Sequence, residues 1–256
     1  MAILTKKYFD EYLSHGGKDI PLLIAGFDFS KKADDFIYLT KAAAVYSSNI
    51  EGNPVDLNSF MNYELNKNKF KPTKEIEEID NLAQAYVFAQ DTKLTEKHFL
   101  EAHAILSKTL LIESKRGKYR EEPVGVFGKN GLVYLAVEPE HLEKIMKDFF
   151  EEVTNLLSKD LTIEEIFYFA SLMHLRFAHI HPFMDGNGRV ARLLEKWFLS
   201  EKAGKDFWEI SSERFYKENQ KRYYKTINLG INFYELNYDN CIDFLLLLPE
   251  SLKHEK

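Results

Sequence analysis

The chain holds a single cysteine, Cys241, among 256 residues. No internal disulfide framework can therefore staple it, and a reducing, cytoplasmic compartment is the expectation, with Cys241 read as a small core hydrophobe. Basic charge is not in excess: acidic side chains outnumber Lys and Arg 40 to 34, which leaves no electrostatic footprint for nucleic acid. No apolar run suits a bilayer, since Phe244 to Leu248 is far too short and reads as a buried helix end before Pro249. The first residues, Met1-Ala2-Ile3-Leu4-Thr5-Lys6-Lys7, lack the apolar stretch of a secretory signal. Repeats, low-complexity runs and long linkers are missing too, so a sequence that is 45% hydrophobic is expected to build one sizeable core.

What is present is helical periodicity. After Glu138-Pro139, Leu142, Ile145, Met146, Phe149, Val153, Leu156 and Leu157 recur at three- and four-residue steps. Thr162 and Glu165 make a capping-box pattern ahead of Ile166, Phe169, Ala170, Met173 and Phe177. Thr73 and Thr95 are placed to cap two earlier helices, and Ser30 another that ends near Gly52 and Pro54. A later helix through Leu193, Leu194, Trp197 and Phe198 should stop at Gly204. One stretch departs from this pattern: Val124 to Phe127 and Leu132 to Leu135 flank Gly128-Lys129-Asn130-Gly131, the signal of a β-hairpin.

The chemistry gathers in His181-Pro182-Phe183-Met184-Asp185-Gly186-Asn187-Gly188-Arg189-Val190-Ala191-Arg192. Pro182 disfavours helical geometry at His181, so the helix before it should stop and leave the imidazole at a loop mouth. Gly186 and Gly188 let successive amides turn inward as an anion nest, at the positive end of the next helix. Arg189 and Arg192, three apart, share a helix face from which guanidinium forks reach phosphate oxygens. His174, His179 and His181 are not read as a metal cluster, because no second cysteine or carboxylate lies at a familiar ligand spacing.

At these positions the chain resembles the Fic family, whose signature is His-Pro-Phe-x-(Asp/Glu)-Gly-Asn-Gly-Arg-x-x-Arg. Every specified position is present, and the likeness extends from about Ala33 to about Leu229. It implies a mainly α fold, a helical bundle with a small hairpin flap. The divisions expected are an N-terminal segment (1–30) and a Fic domain (31–256) that contains an inhibitory helix (about 31–52), the flap (about 124–135) and the motif (181–192).

The resemblance also implies transfer of AMP from ATP to a Ser, Thr or Tyr hydroxyl of a protein target. His181 would be the base and Asp185 the Mg²⁺ ligand. Gly186, Asn187 and Gly188 would hold the α-phosphate, with Arg189 and Arg192 on the β- and γ-phosphates and Phe183 as support beneath the loop. Val133 and Leu135 of the flap would hold the target by adding a strand. Tyr223 and Tyr224 are candidates for the adenine pocket or for the core, and the family's further asparagine could be Asn228 or Asn232.

Ser47 to Gly52 matches the family's inhibitory pattern (Ser/Thr)-x-x-x-Glu-(Gly/Asn). Glu51 would then pair with Arg192 in the place of the γ-phosphate, steadied by Ser47. An autoinhibited adenylyltransferase, bacterial and cytoplasmic, is the expectation, with a homodimer compatible with the sequence and without a nucleic-acid or membrane partner or an appended DNA-binding domain. The alternatives are a de-AMPylating phosphodiesterase using the same site, a non-catalytic nucleotide-sensing interaction protein, and phosphate transfer.

Overall fold

The computed structural model describes residues 3–29, 33–128 and 131–253. Its helices in chain order are α1 (Phe9–Ser14), α2 (Ile20–Ala25), α3 (Ala33–Ile50), α4 (Leu57–Asn66), α5 (Lys74–Asp91), α6 (Glu96–Leu106), α7 (Leu142–Ser158), α8 (Ile163–Ile180), α9 (Asn187–Ala203), α10 (Ser212–Glu218), α11 (Gln220–Ile227), α12 (Ile242–Leu245) and α13 (Leu247–Ser251). Between α6 and α7 lies an antiparallel hairpin, β1 (Gly125–Gly128) and β2 (Gly131–Leu135). No helix among the described residues is long and apolar enough to cross a membrane.

The expected caps set the helix starts. Thr73 accepts from the Ile76 amide, Thr95 from that of His98, and Thr162 and Glu165 close a reciprocal capping box. Gly204 ends α9. Ser30 and the hairpin's Lys129 and Asn130 lie outside the described residues. Pro249 does not end a helix as expected but sits in the first turn of α13, where its missing N–H leaves no helical bond unmade.

The core is organised around α8, which is buried along most of its length and packs against α9. On α7, Leu142, Met146, Phe149, Val153 and Leu156 face this core, as their spacing predicts. α3 lies against α5 and α10, while α1, α2, α12 and α13 cover other sides of α8. The N-terminal segment belongs to the same core: Tyr12 is fully buried against Tyr168, whose hydroxyl donates to the Thr5 carbonyl. Cys241 is buried, and burial pushes its thiol up to about 12. The chain therefore brings α3, the hairpin and the α8–α9 loop to one end of the α8–α9 pair.

The hairpin register slips so that Val133 faces no partner residue across the ladder. Its second strand is not a free edge at Leu135, whose N–H donates to the Ile231 carbonyl at 2.9 Å. Leu135 is thus corrected from an open pairing position to an internal one. The Tyr134 hydroxyl anchors the strand to the His179 carbonyl at 2.6 Å.

Replacing Thr162 by Ala should lower stability by about 1 kcal/mol through loss of the α8 cap. Urea unfolding checks this, and an unchanged midpoint would mean the box contributes nothing.

Candidate active site

α8 ends where sequence places it, but His181 adopts a left-handed conformation with φ 51°. It is the one non-glycine residue with positive φ among the described residues. A residue before proline is pushed toward extended geometry, so this conformation costs roughly 1–3 kcal/mol and must be held from outside. The holder is Arg120, whose Nε donates to the His181 carbonyl at 2.8 Å and whose backbone N–H donates to the Pro182 carbonyl at 2.9 Å. His181 Nδ1 lies 3.1 Å from the Ala178 carbonyl, which can only accept. The ring proton therefore sits on Nδ1, and Nε2 is the basic nitrogen. Burial, reinforced by the charge of Arg120, holds the imidazole below its ordinary pKa, so it is neutral at pH 7.

The loop that follows is braced from beneath. Phe183 is fully buried and stacked on His103, ring centroids 3.5 Å apart. His103 accepts from the Gly117 N–H at Nδ1, so Nε2 carries the proton and donates to the Asp185 carbonyl at 3.0 Å. Burial lowers its pKa to about 4, which keeps this tautomer neutral. Gly186, at φ 83°, turns the chain into α9, and a Cβ there would press on Leu106 at 3.0 Å and His103 at 3.4 Å. Both ends of the Asn187 side-chain amide are spent on the backbone of Phe183, at 2.9 and 2.8 Å. The expected role of Asn187 at the phosphate is thereby confined to its backbone N–H, because the side chain closes the loop.

The two motif arginines have different surroundings. Arg189 pairs with Glu78 of α5 and with Asp185 at 3.2 Å. Arg192 is fully buried and draws its partners from α11 and from α3 and its end. Nε donates to Ser47 Oγ at 2.8 Å, Nη1 to the Tyr223 hydroxyl at 3.2 Å, and Nη2 to the Ser47 carbonyl at 2.9 Å and Glu51 Oε1 at 2.8 Å. Ser47 thus steadies the guanidinium rather than the carboxylate it was expected to hold.

Burial alone would raise the Glu51 carboxyl, yet the charges of Arg192 and Arg189 and the hydrogen bond from Arg192 hold it below the ordinary value. Its carboxylate lies directly over Gly188, where a Cβ would collide with it. Glu51 therefore sits on the amide-rich start of α9, the position an anion would take.

Tyr223 and Tyr224 part company. Tyr223 is buried, its hydroxyl between Arg192 and His174, so it backs the arginine instead of offering an open face. Tyr224 is 44% exposed, and its hydroxyl donates to the Ile50 carbonyl at the end of α3. Asn232 caps a short turn through the amides of Tyr234 and Glu235. His174 and His179 spend both ring nitrogens on protein partners: His174 on Glu195 and Tyr223, His179 on Tyr238 and the Ile227 carbonyl.

Glu78, His103 and Arg120 are contributors that spacing does not reveal. The motif residues they hold lie 61 to 111 positions away in sequence, and the hydrogen bonds of His103 and Arg120 go to main-chain groups, which carry no residue signature.

Residues 93–199 match the model of the Fic/DOC family. The chain is 35% identical over 162 residues, 59% of its length, to Protein adenylyltransferase Fic of Nematostella vectensis, and spans 35% of that protein. It spans about a third of the length of this curated relative, and less of others. In three dimensions it is similar to a Fic family protein from Desulfovibrio desulfuricans G20, with TM-score 0.77 at 22% identity over 95% of this chain and 73% of that one. It is also similar to IbpAFic2, solved covalently tethered to Cdc42, with TM-score 0.55 at 15% identity over 94% and 70% of the two chains. These likenesses show a shared helical fold.

His181 should titrate below 6.5, the ordinary histidine value. Ring-proton NMR across pH checks this, and a midpoint at or above 6.5 would contradict the buried environment. A reaction using Nε2 as base should keep its rate as pH falls past that ordinary value, then lose it through the lowered one.

Proposed function

We propose, from the premise that this chain is a Fic-family protein with its family domain at residues 93–199, that it is an autoinhibited protein adenylyltransferase. One observation carries the proposal: the carboxylate of Glu51, just past the end of α3, sits on Arg192 and over Gly188 at the amide-rich start of α9. A tethered anion there occupies the place of a nucleotide phosphate.

With Glu51 displaced, Arg192 takes the γ-phosphate and Arg189 the β-phosphate, while the amides of Asn187 and Gly188 receive the α-phosphate as charge grows on it, the Gly186 N–H being spent on Asp185. Nε2 of His181 accepts the proton of the target hydroxyl. The hydroxyl oxygen bonds to the α-phosphorus, the bond from that phosphorus to the bridging oxygen breaks, and pyrophosphate leaves.

Asp185 fits a magnesium site of the open kind. Its side chain is 49% exposed, and Oδ1 is already held by the Gly186 N–H at 2.6 Å and by Arg189. One hard oxygen then remains for an ion whose other ligands are water and phosphate. Bound Mg²⁺ would supply neutralisation of charge on the phosphates.

A protein segment is received on the hairpin. Phe127, Leu132 and Val133 are exposed there, and a strand added before Leu135 would bring its hydroxyl toward the motif. Tyr224, half exposed beside the end of α3, is the better placed of the two tyrosines for the nucleobase.

The reverse reaction has one specific observation in its favour. Glu51 bonds Arg192 through Oε1 and keeps 29% side-chain exposure, so its other oxygen could orient a water against an AMP-modified side chain.

Incubation with ATP labelled at the α- or γ-phosphate separates these activities. Label should pass to protein only from the α-position. Glu51→Gly should raise that transfer by about tenfold or more, ~1.4 kcal/mol of barrier. Adding Arg192→Ala should cancel the gain, because the two groups form one couple. If Glu51→Gly instead leaves transfer unchanged and abolishes hydrolysis of AMP-modified protein, the phosphodiesterase takes first place.

A further inference from the structure

We propose that Arg120 is a positioning residue that ties His181 to both roots of the hairpin, so that the base and the target-receiving strand share one anchor. Its side chain is 2% exposed and forms no ion pair among the described residues. Instead its guanidinium is spent on main-chain carbonyls: Nε on His181 at 2.8 Å, Nη1 on Glu122 at 2.9 Å, and Nη2 on Val137 at 2.5 Å. Its own N–H adds the Pro182 carbonyl. Glu122 lies just before β1 and Val137 just after β2, so these bonds span the hairpin's base and the end of α8.

Two physical facts make this more than packing. The last carbonyls of a helix have no intrahelical partner, and a cation there meets the negative end of the helix dipole. A buried guanidinium without an ion-pair partner is costly, however, and burial lowers its pKa against the opposing charge of Glu138. A lysine would satisfy the dipole equally well. Only the planar fork of arginine can reach His181, Glu122 and Val137 together.

The carbonyl it grips just past α8 belongs to the residue held at φ 51°, and fixing that carbonyl fixes the left-handed turn that aims the imidazole. A second bond then sets the hairpin relative to it. Any hinge of the hairpin at its roots must break the same cation's contacts. The consequence for catalysis rests on the adenylyltransferase proposal, while the coupling itself does not.

Arg120→Lys and Arg120→Gln test it by three measurements. Imidazole ¹⁵N shifts should show the Nδ1–H form of His181 in the parent and a mixed population in both variants. Exchange of the Ala136 amide, which bonds the Val124 carbonyl across the hairpin roots, should quicken by about tenfold or more in both. Transfer from α-labelled ATP should fall at least about tenfold in kcat with KM for ATP unchanged.

Parent-like ¹⁵N shifts and exchange would overturn the coupling, even if activity fell. If the variants do not fold, the parent alone decides: the Arg120 and Ala136 amides should exchange as slowly as those of α8, and exchange as fast as the exposed hairpin strands would refute the clamp. An inactive parent with the expected shifts would defeat the adenylyltransferase proposal and leave the clamp standing.

Discussion

The buried guanidinium of Arg192 is the constraint on which the site depends. A cation with no solvent exposure is tolerable only if each donor finds a partner. The partners come from two other helices: Ser47 and Glu51 from α3 and its end, Tyr223 from α11. Docking of α3 is therefore part of folding the motif helix. Removing α3 would leave α9 with an unpaired buried charge.

The same logic continues behind Arg192. Tyr223, which accepts from Arg192, meets Nε2 of His174, and His174 Nδ1 meets Glu195, which also accepts from Tyr216. Lys196 pairs with Glu213, to which Tyr86 donates. α9 thus buries charged residues on more than one face, and each is answered from α3 and its end, α5, α8, α10 or α11. Such a network is costly if any member is missing, so it holds α9 at one rotation about its axis. The start of α9 and its amides are presented to Glu51 in one orientation as a result.

Much of this was legible because it is local. The helix caps at Thr73, Thr95 and Thr162, the stop at Pro182, the glycines at 186 and 188 and the hairpin all follow from residues a few positions apart. The partnership of Glu51 with Arg192, 141 residues apart, came from a family pattern and not from spacing. The motif places Asn187 and Ser47 at the site but does not name the partners of their side chains, since amides and hydroxyls can turn to several: Phe183 for Asn187 and Arg192 for Ser47. Leu135 looked like a free edge because the segment that covers it, Ile231 and Asn232, carries no strand pattern. Arg120 and His103 were illegible because they bind main-chain carbonyls and amides.

Under the proposed function, the arrangement at the end of α3 also determines what must move. Lys217 donates to the Asn49 carbonyl, and Gln220 and Tyr224 donate to that of Ile50. Beyond Glu51, the Asn49 side chain grips the carbonyls of Asn53 and Val55. The backbone is pinned on both sides of Glu51, so its side chain can leave by rotation without undocking α3. Arg192 would then keep Ser47 and Tyr223 but lose its counter-charge. A buried cation cannot stay uncompensated cheaply, so departure of the carboxylate is favourable only when another anion arrives. The brake is in that sense an exchange of anions at one guanidinium, in which tethering gives Glu51 a high effective concentration against the phosphate that must replace it.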